Sequence, residues 1–441
     1  MSDIEELAHK KVKFYTFGCS HNVSDSEVMQ KDLTEAGYIL DKADSPLEGN
    51  YTAVVVNSCT VKNPSQQSIE QIKKKCEEMH IPVVLAGCVP QADPKVFKCS
   101  KNCSIVGVDQ LHKIKDAVES AVRGEGATYL ERGPLVDIDS YEKSSPLIDI
   151  IVTCTGCENA CTYCKTKHAR GGLRSYPIID IIKRIKKSIN EGVKELRLTG
   201  EDIGAYGMDI GDTFPHMLKE MCDVVEGKAM IRIGMVNPPY IIKYFDEIVE
   251  VFKRKCVYKF IHIPIQSGST QVLEAMKRKY TREEFDDVCA RLRKCIPEIT
   301  IATDIICGFP TETDEDHKMT LDCLKVHQFP IVNISQMCIR PGTPAAQMKP
   351  VNSKVKKQRS REVTEYFDSY FPYKNMVGKT CQVWINEMAH DKQNYAAHDI
   401  SFVQVILAPQ KNVDLFGKSA IVKIVEAGKF FVKGEFVSLA E

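Results

Sequence analysis

Three cysteines with the spacing Cys-x3-Cys-x2-Cys form the pattern in this chain that most directly indicates chemistry: Cys157, Cys161 and Cys164, here called the loop triad. Three thiolates in one short loop can hold three irons of a [4Fe-4S] cube and leave the fourth iron open, whereas most iron–sulfur electron carriers use four cysteines. Because an open iron can bind a substrate, the spacing predicts catalysis as well as electron transfer. Two plainer interpretations are ordinary core cysteines, or a zinc knuckle completed by Cys154 or His168.

A second set of three cysteines recurs at equivalent points of residues 11–123, where apolar strands alternate with helical patterns. Cys19, Cys59 and Cys88, here called the strand-end triad, each follow an apolar strand. The alternation predicts a parallel, doubly wound α/β domain. In such an open sheet the carboxyl ends of the strands share one edge. The three thiols are therefore expected to meet there and to form a second cluster site, although each cysteine alone would be interpreted as a core thiol.

The run TGCENACTYCKTKHARG, residues 155–171, resembles the cluster loop of radical S-adenosylmethionine (SAM) enzymes. Among these it is most similar to the methylthiotransferases of the eukaryotic and archaeal branch, which act on threonylcarbamoyladenosine in tRNA. Bacterial relatives usually carry different residues where Lys165 to Ala169 stand here. The resemblance extends over nearly the whole chain. It implies that the loop triad is catalytic and holds a SAM-binding [4Fe-4S] cluster, and that the strand-end triad holds an auxiliary [4Fe-4S] cluster.

The central part of the chain must position the loop triad. Residues 124–146 are polar, contain Pro134 and Pro146, and are predicted to be a linker. Residues 147–372 begin with six alternations of strand and helix, which predict an open (β/α)6 barrel rather than the closed barrel of eight units. Active sites of such barrels lie at the carboxyl ends of the strands.

Polar turns with glycine follow several of these predicted strands. A carboxylate such as Glu201 can pair with the amino group of SAM, and glycine lets the backbone approach a ligand closely. Each turn alone could be only a turn, but the turns also resemble family segments, with Thr199-Gly200-Glu201 similar to a Gly-Gly-Glu-like segment. The resemblance predicts these cofactor-binding residues: Tyr163, Gly200, Glu201, Gln266, Ser267 and Gly308. Arg340 lies in a turn that resembles a family turn and is predicted to bind the substrate.

Residues 373–441 show short apolar strands separated by turns, which predict a small antiparallel β-barrel. The segment resembles the TRAM domain, an RNA-binding module. Deleting it is expected to weaken tRNA binding and to leave SAM cleavage largely intact. The preceding basic run, residues 354–361, is expected to be either a solvated helix face or a contact to RNA phosphates.

Composition limits the remaining alternatives. The 59 basic and 59 acidic residues cancel, so an RNA-binding surface must be a local patch. No apolar run is long enough to span a membrane, and the first ten residues do not resemble a secretion signal. We therefore expect a monomer in the cytoplasm, without a membrane, whose 18 cysteines are thiols or metal ligands rather than a disulfide framework.

The resemblance implies a tRNA methylthiotransferase with two [4Fe-4S] clusters and SAM as cofactors. Its substrate would be threonylcarbamoyladenosine at position 37, in the anticodon loop of tRNA, modified at C2 of the adenine, and its partners would include an electron donor. The alternatives are a methylthiotransferase for another modified adenosine or for a protein side chain, and a non-enzymatic iron–sulfur protein that binds RNA.

Overall fold

Three β-structures follow one another along the chain in the computed structural model, which describes residues 10–42, 45–60, 63–95, 99–411 and 413–440. The first is a six-stranded parallel sheet, the second consists of two parallel triples of strands, and the third is a closed barrel of five strands. This architecture confirms the predicted fold class of a doubly wound domain, an open barrel and a small β-barrel.

The first sheet places the predicted strand ends side by side. All its neighbouring strands are parallel. In spatial order its strands are Ile39–Asp41, Lys11–Thr16, Ala53–Ser58, Val83–Gly87, Cys103–Val106 and Thr128–Tyr129. The two edge strands were not predicted from the sequence because they are only three and two residues long and lack a fully buried side chain.

The helices of this domain differ from the prediction at one functional point. They are Ser20–Glu35, Asn63–Glu78, Cys88–Ala92 and Ile114–Val122. The residue pattern predicts a helix from Ser24 to Tyr38 with Ser24 as its cap, but the first helix begins at Ser20 with Cys19 as its N-cap. Its first turns bury polar residues such as His21 and Asn22 instead of apolar ones, so hydrophobic periodicity could not reveal them.

Six parallel strands line the central barrel in two hydrogen-bonded triples, which are joined by isolated bridges between Ile231 and Val257 and between Met235 and His262. The strands are Ile148–Val152, Glu195–Thr199, Met230–Arg232, Phe260–His262, Thr300–Cys307 and Ile331–Gln336. A two-stranded ribbon, Cys154–Thr155 with Arg174–Ser175, flanks the cluster loop. The associated helices are Thr166–Arg170, Ile178–Asn190, Phe214–Val225, Pro238–Lys243, Phe245–Lys253, Thr270–Ala275, Arg282–Cys295, Asp314–His327 and Ser353–Asp368.

The third structure is a closed barrel in which four strand pairs are antiparallel and one is parallel. Its strands are Thr380–Met388, Tyr395–Asp399, Gln404–Leu407, Ser419–Ala427 and Phe431–Leu439. The strand Tyr395–Asp399 was not predicted, because most of its residues are alanine, histidine and aspartate, which are not typical of strands.

This C-terminal barrel packs against the amino ends of the central strands, at the end opposite the cluster loop. The ring of Phe402 contacts that of Tyr258, with 4.9 Å between the centroids. The backbone N–H of Lys259 donates to the carbonyl of Ile400 at 2.7 Å, and Arg197 pairs with Glu387 at 2.6 Å. The C-terminal barrel thus forms a floor for the central barrel.

Two further findings concern the predicted environment of the chain. None of the helices in the described ranges is both long and apolar enough to cross a membrane. The sulfurs of Cys99 and Cys103 are paired in the structure; one such pair is not a disulfide framework, and that expectation stays a prediction. The two residues are four positions apart, and the sequence showed no signal that they would pair.

Candidate active site

The loop triad sits in a turn-rich segment whose N–H groups point at its sulfurs. The Sγ of Cys157 accepts from the backbone N–H of Asn159 at 3.4 Å and from its side-chain amide at 3.7 Å. The Sγ of Cys164 accepts from the backbone N–H of Thr166 at 3.4 Å. Burial, together with the charge of Asp202, raises the pKa of Cys157 to about 12. N–H donors oppose this effect and favour the thiolate form that binds iron.

Arg278 supplies the positive charge beside the loop triad. Its guanidinium donates to the Sγ of Cys161 at 3.2 Å, to the side-chain oxygen of Asn237 at 2.6 Å and to the hydroxyl of Tyr280 at 3.0 Å. Burial alone would lower the pKa of Arg278, but Tyr163, Tyr280 and Cys161 raise it well above the usual value. Arg278 was not predicted from the sequence, because it lies 117 residues from Cys161 and in no recognised motif.

Asp202 anchors the loop to the ends of two barrel strands. Its carboxylate accepts from the side-chain amide of Asn159 at 2.8 Å and from that of Asn237 at 2.7 Å. Burial raises the pKa of Asp202 to about 6. Asp202 therefore contacts the side chains around the loop triad, while its neighbour Glu201 accepts from the backbone N–H of Gly156 at the start of the loop.

The spacing of the triads argues against a single zinc ion. Tetrahedral Zn–S bonds of about 2.3 Å place the sulfurs roughly 3.8 Å apart. Within the described ranges, the only three ligand atoms of His, Cys, Asp or Glu that lie within 4.8 Å of one another belong to Asp286, Cys323 and His327. Neither triad meets this limit, whereas an iron–sulfur cube, in which each thiolate binds a different iron, suits wider spacing. Of the two candidates for a fourth zinc ligand, Cys154 is fully buried and His168 is exposed.

The set Asp286, Cys323 and His327 is itself occupied by protein groups. Arg282 donates to both carboxylate oxygens of Asp286 at 2.8 and 2.9 Å. His327 contacts Asp286 through Nε2 at 2.7 Å and Arg293 through Nδ1 at 3.3 Å. We interpret this cluster as an ion-pair network between two helices.

The strand-end triad is brought together by the parallel sheet. Cys19 is the N-cap of a 16-residue helix, a position that favours negative charge. A Cβ on Gly18, which has φ +121°, would lie 2.6 Å from the Cβ of Cys59. Glycine is required there because the two backbones approach so closely. Cys88 starts the helix Cys88–Ala92 and is buried, and burial raises the pKa of its thiol to about 12.

Asn22 connects members of the strand-end triad. Its Oδ1 lies 3.4 Å from the Sγ of Cys19, and its Nδ2 lies 3.9 Å from the Sγ of Cys88. The same amide donates to the carbonyl of Ser58 at 2.9 Å. One buried side chain thus contacts all three strand ends, at Cys19, Ser58 and Cys88, which fixes their relative positions.

A buried charge network joins the two domains between the triads. Arg170 donates to Asp25 at 2.5 Å and lies 3.3 Å from Glu201 and 3.2 Å from Nε2 of His21. His21 in turn contacts Glu201 at 2.9 Å. Burial would raise the pKa of Glu201, but the charges of His21 and Arg170 lower it. Arg170 is only 2% exposed, so breaking this network would leave unpaired buried charges.

The helix Thr166–Arg170 separates the two triads. It begins two residues after Cys164, and its Ala169 packs against Cys88 and Val108. A molecule that reacts with groups held by both triads must therefore lie next to this helix.

The structure gives Glu201 and Gly200 specific partners. One carboxylate oxygen of Glu201 accepts from the backbone N–H of Gly156 at 2.8 Å, and the other contacts His21 and Arg170. A Cβ on Gly200 would lie 2.9 Å from the Sγ of Cys154. Their roles in cofactor binding stay predictions, with Glu201 already held by protein groups.

The other predicted cofactor-binding residues lie in the loop itself or beyond the carboxyl ends of two later barrel strands, Phe260–His262 and Thr300–Cys307. Tyr163 meets Phe309 edge-on, with 6.3 Å between the ring centroids. Gln266 is buried and has φ +72°, a conformation that is strained for a side chain of this type. Ser267 is fully buried. The N–H of Gly308 donates to Glu312 at 2.7 Å.

The predicted substrate-binding residue Arg340 lies in a turn attached to the same loop. The N–H of Thr343 donates to the carbonyl of Arg340 at 3.2 Å, and that of Ala345 donates to Thr162 at 2.8 Å. The basic run is only partly available to RNA, because Arg359 is buried and pairs with Glu312 and Asp314, both at 2.7 Å.

Comparisons with known proteins agree with this arrangement. Residues 151–324 match the model of the Radical SAM superfamily, and residues 11–107 match that of Uncharacterized protein family UPF0004. The threonylcarbamoyladenosine tRNA methylthiotransferase of Homo sapiens is 44% identical over 98% of this chain and 75% of its own length. A Pyrococcus abyssi protein named "Probable threonylcarbamoyladenosine tRNA methylthiotransferase" is 35% identical over 97% of this chain and its full length.

Solved structures support the fold. A radical S-adenosylmethionine methyltransferase from Kitasatospora setae, with cobalamin and a [4Fe-4S] cluster bound, has a TM-score of 0.54 at 14% identity and covers 76% of this chain and 77% of its own. A cobalamin-dependent S-adenosylmethionine radical enzyme has a TM-score of 0.51 at 12% identity, covering 83% of this chain and 57% of its own. At such low identity, these neighbours show the fold alone.

Proposed function

Because the chain belongs to the family of threonylcarbamoyladenosine tRNA methylthiotransferases, we propose that it adds a methylthio group to C2 of threonylcarbamoyladenosine at position 37 of tRNA. The observation that carries the proposal is the placement of two cysteine triads on either side of the helix Thr166–Arg170. Radical activation and sulfur insertion need two iron–sulfur centres that reach one substrate atom, and this geometry provides two candidate sites.

Membership of the radical SAM superfamily implies SAM and one [4Fe-4S] cluster. Cys157, Cys161 and Cys164 would hold that cluster, which with SAM supplies the radical chemistry that activates a carbon atom. Cys19, Cys59 and Cys88 would hold a second [4Fe-4S] cluster as the source of sulfur. Both donor sets fit, since each offers three thiols and the loop triad has a cationic group at 3.2 Å.

The chain's own residues stabilise and align these two sites. Arg278 and the N–H groups of Asn159 and Thr166 favour thiolates in the loop triad. The charge network around Arg170 and Glu201 holds the two domains in register. A small misplacement of reacting groups costs orders of magnitude in rate, so this buried network is part of the catalytic design.

The partners follow from the same proposal. tRNA would enter with its anticodon loop at the barrel mouth, and residues 373–441 would contact RNA as a TRAM-like module. An electron donor must supply the reducing equivalent for SAM cleavage. The protein is proposed to act as a monomer.

Mass spectrometry of tRNA nucleosides tests the function directly. Cells that produce this chain should contain 2-methylthio-threonylcarbamoyladenosine, and cells that produce only the Cys164→Ala variant should contain the unmethylthiolated nucleoside. The same nucleoside profile in both cells would contradict the proposal. A methylthio group on another adenosine or on a protein would redirect the substrate assignment.

A further inference from the structure

A lysine and a histidine near the loop triad converge on the turn that carries Arg340. The ammonium of Lys165 donates to the carbonyl of Pro341 at 2.6 Å. A Cβ placed on Gly342 would lie 3.5 Å from the Nζ of Lys165 and 3.8 Å from the Cε1 of His168. Lys165 and His168 therefore share a small space over this turn, where glycine leaves room for a ligand.

The charge of Lys165 has no acidic counterpart in its surroundings. Across the described ranges, the hydrogen bond to Pro341 is the one that its ammonium makes, and no carboxylate pairs with it. His168 is exposed, and burial together with the neighbouring charge of Lys165 lowers its pKa. A cation paired only with a carbonyl oxygen retains donors for an anionic ligand, because an ammonium has three.

The location of this pair restricts what the ligand can be. Lys165 directly follows Cys164, and His168 lies on the helix that separates the two triads. A substrate that reacts between the triads would lie against this helix, with its substituents within reach of Lys165 and His168. The proposed substrate differs from unmodified adenosine by its threonylcarbamoyl group. The threonine nitrogen is part of the carbamoyl linkage, so the group carries one free carboxylate and one hydroxyl.

We propose that Lys165, with His168 beside it, binds the carboxylate of the threonylcarbamoyl group and thereby selects this nucleoside over adenosines with neutral substituents. The inference rests on the proposed function and deepens it to a specificity-determining contact. An ammonium–carboxylate hydrogen bond is among the stronger polar contacts. A site built for a polar group also rejects analogues that lack it, because its own donors are left unpaired.

The test compares two anticodon stem-loop RNAs that differ only at this carboxylate. One carries threonylcarbamoyladenosine at position 37, and the other carries its uncharged methyl ester. Binding of each RNA to the anaerobically reconstituted holoprotein is measured for wild type and for Lys165→Gln. We expect Lys165→Gln to weaken binding of the acid about tenfold and to leave binding of the ester unchanged.

Lys167→Gln is the matched control, since Lys167 is an exposed lysine on the same helix. It should change the affinities for acid and ester by the same factor, because any contact it makes is to RNA phosphates. Lys165→Arg keeps the charge and should retain the preference for the acid. The ratio of the two affinities is measured on each protein, so a general loss of binding or of iron cancels.

The outcomes separate the inference from the function on which it rests. If Lys165→Gln keeps the wild-type ratio, or if wild type itself does not distinguish acid from ester, the inference is overturned. If wild-type holoprotein with both clusters, SAM and reductant gives no methylthio product from the acid stem-loop, the proposed function fails. A loss of preference confined to Lys165→Gln, in a protein that forms the product, supports both.

Discussion

The loop triad and the strand-end triad each offer three thiols, but the chain brings these thiols together in different ways. Residues 157–164 carry the loop triad within a single turn-rich segment, with N–H donors from its own backbone. The strand-end triad gathers Cys19, Cys59 and Cys88 from three neighbouring strands of one sheet. Its geometry exists only when the whole sheet is folded.

The arginines near the triads show the same contrast between local contacts and contacts across the fold. Of the two triads, Arg278 contacts only the loop triad, at the Sγ of Cys161. Arg170 lies near Cys88 and also joins Asp25, Glu201 and His21 across the domain boundary. We infer that the loop triad can be changed locally, whereas the surroundings of the strand-end triad depend on contacts between domains.

The largest expected effect distinguishes the triads by the reaction that each supports, SAM cleavage for the loop triad and formation of the methylthio product for the strand-end triad. Replacing Cys157, Cys161 and Cys164 with Ala should abolish SAM cleavage and remove about half of the iron, about four of eight atoms if each triad holds one cube. Cys59→Ala should still form 5′-deoxyadenosine with reductant but give no methylthio product. Iron analysis and chromatography of SAM products measure both. Loss of SAM cleavage in Cys59→Ala with the other cluster intact would contradict the division of roles.

A second substitution tests whether the domain boundary is stabilised by buried charges. Arg170→Met leaves Asp25 and Glu201 buried without their cation, which typically costs about 3–5 kcal/mol. Denaturant unfolding of the metal-free protein should show this loss. Arg132→Gln serves as the control, since Arg132 is exposed and pairs with Asp109 at 3.4 Å, and should cost less than about 1 kcal/mol. Equal losses in the two variants would mean that the network contributes little.

A pH test addresses a site remote from both triads. Burial lowers the pKa of His398 to about 4, against about 6.5 in an unfolded chain. Between these values the unfolded chain binds a proton that the folded chain does not, so the contribution of His398 is complete above pH 6.5 and is lost as the pH falls towards 4. The loss reaches about 3 kcal/mol.

His398→Gln removes this titration and should flatten the dependence of unfolding free energy on pH in that window. Iron content at neutral pH should match that of wild type, because His398 stacks on Phe402 in the floor of the barrel. An unchanged pH dependence in His398→Gln would rule out this assignment.

The smallest expected effect tests whether Arg278 influences only the cluster of the loop triad. Arg278→Gln removes a positive charge 3.2 Å from Cys161, which disfavours the more negative reduced cluster. The midpoint potential of the loop-triad cluster should fall by on the order of 50 mV, and that of the auxiliary cluster should stay constant. Lys279→Gln, at an exposed neighbour, should shift neither. Redox titration followed by electron paramagnetic resonance distinguishes the two clusters, and equal shifts would contradict a local role.

The sequence revealed those features whose geometry is local or repeated. The loop triad was visible in its spacing, and the strand-end triad in its three equivalent positions after strands. The partners of the triads were not visible, because contacts such as Arg278 with Cys161 and Arg170 with Asp25 join residues more than a hundred positions apart. Charge patterns also do not tell which side chains face inward, as the burial of Arg359 within the basic run shows.

The C-terminal barrel, which forms the floor of the central barrel, is synthesised after the strands of the central barrel. Domains fold as their segments emerge during synthesis, so Tyr258, Phe260 and Arg197 must wait for Phe402 and Glu387 before they are covered. A chain truncated before residue 373 would form a central barrel whose base is open. The apolar side chains there would be exposed to chaperones and proteases. Deletion of residues 373–441 would therefore shorten the lifetime of the enzyme in the cell, in addition to weakening the proposed binding of tRNA. The abundance of the truncated chain, compared with the full one, would report the first effect separately.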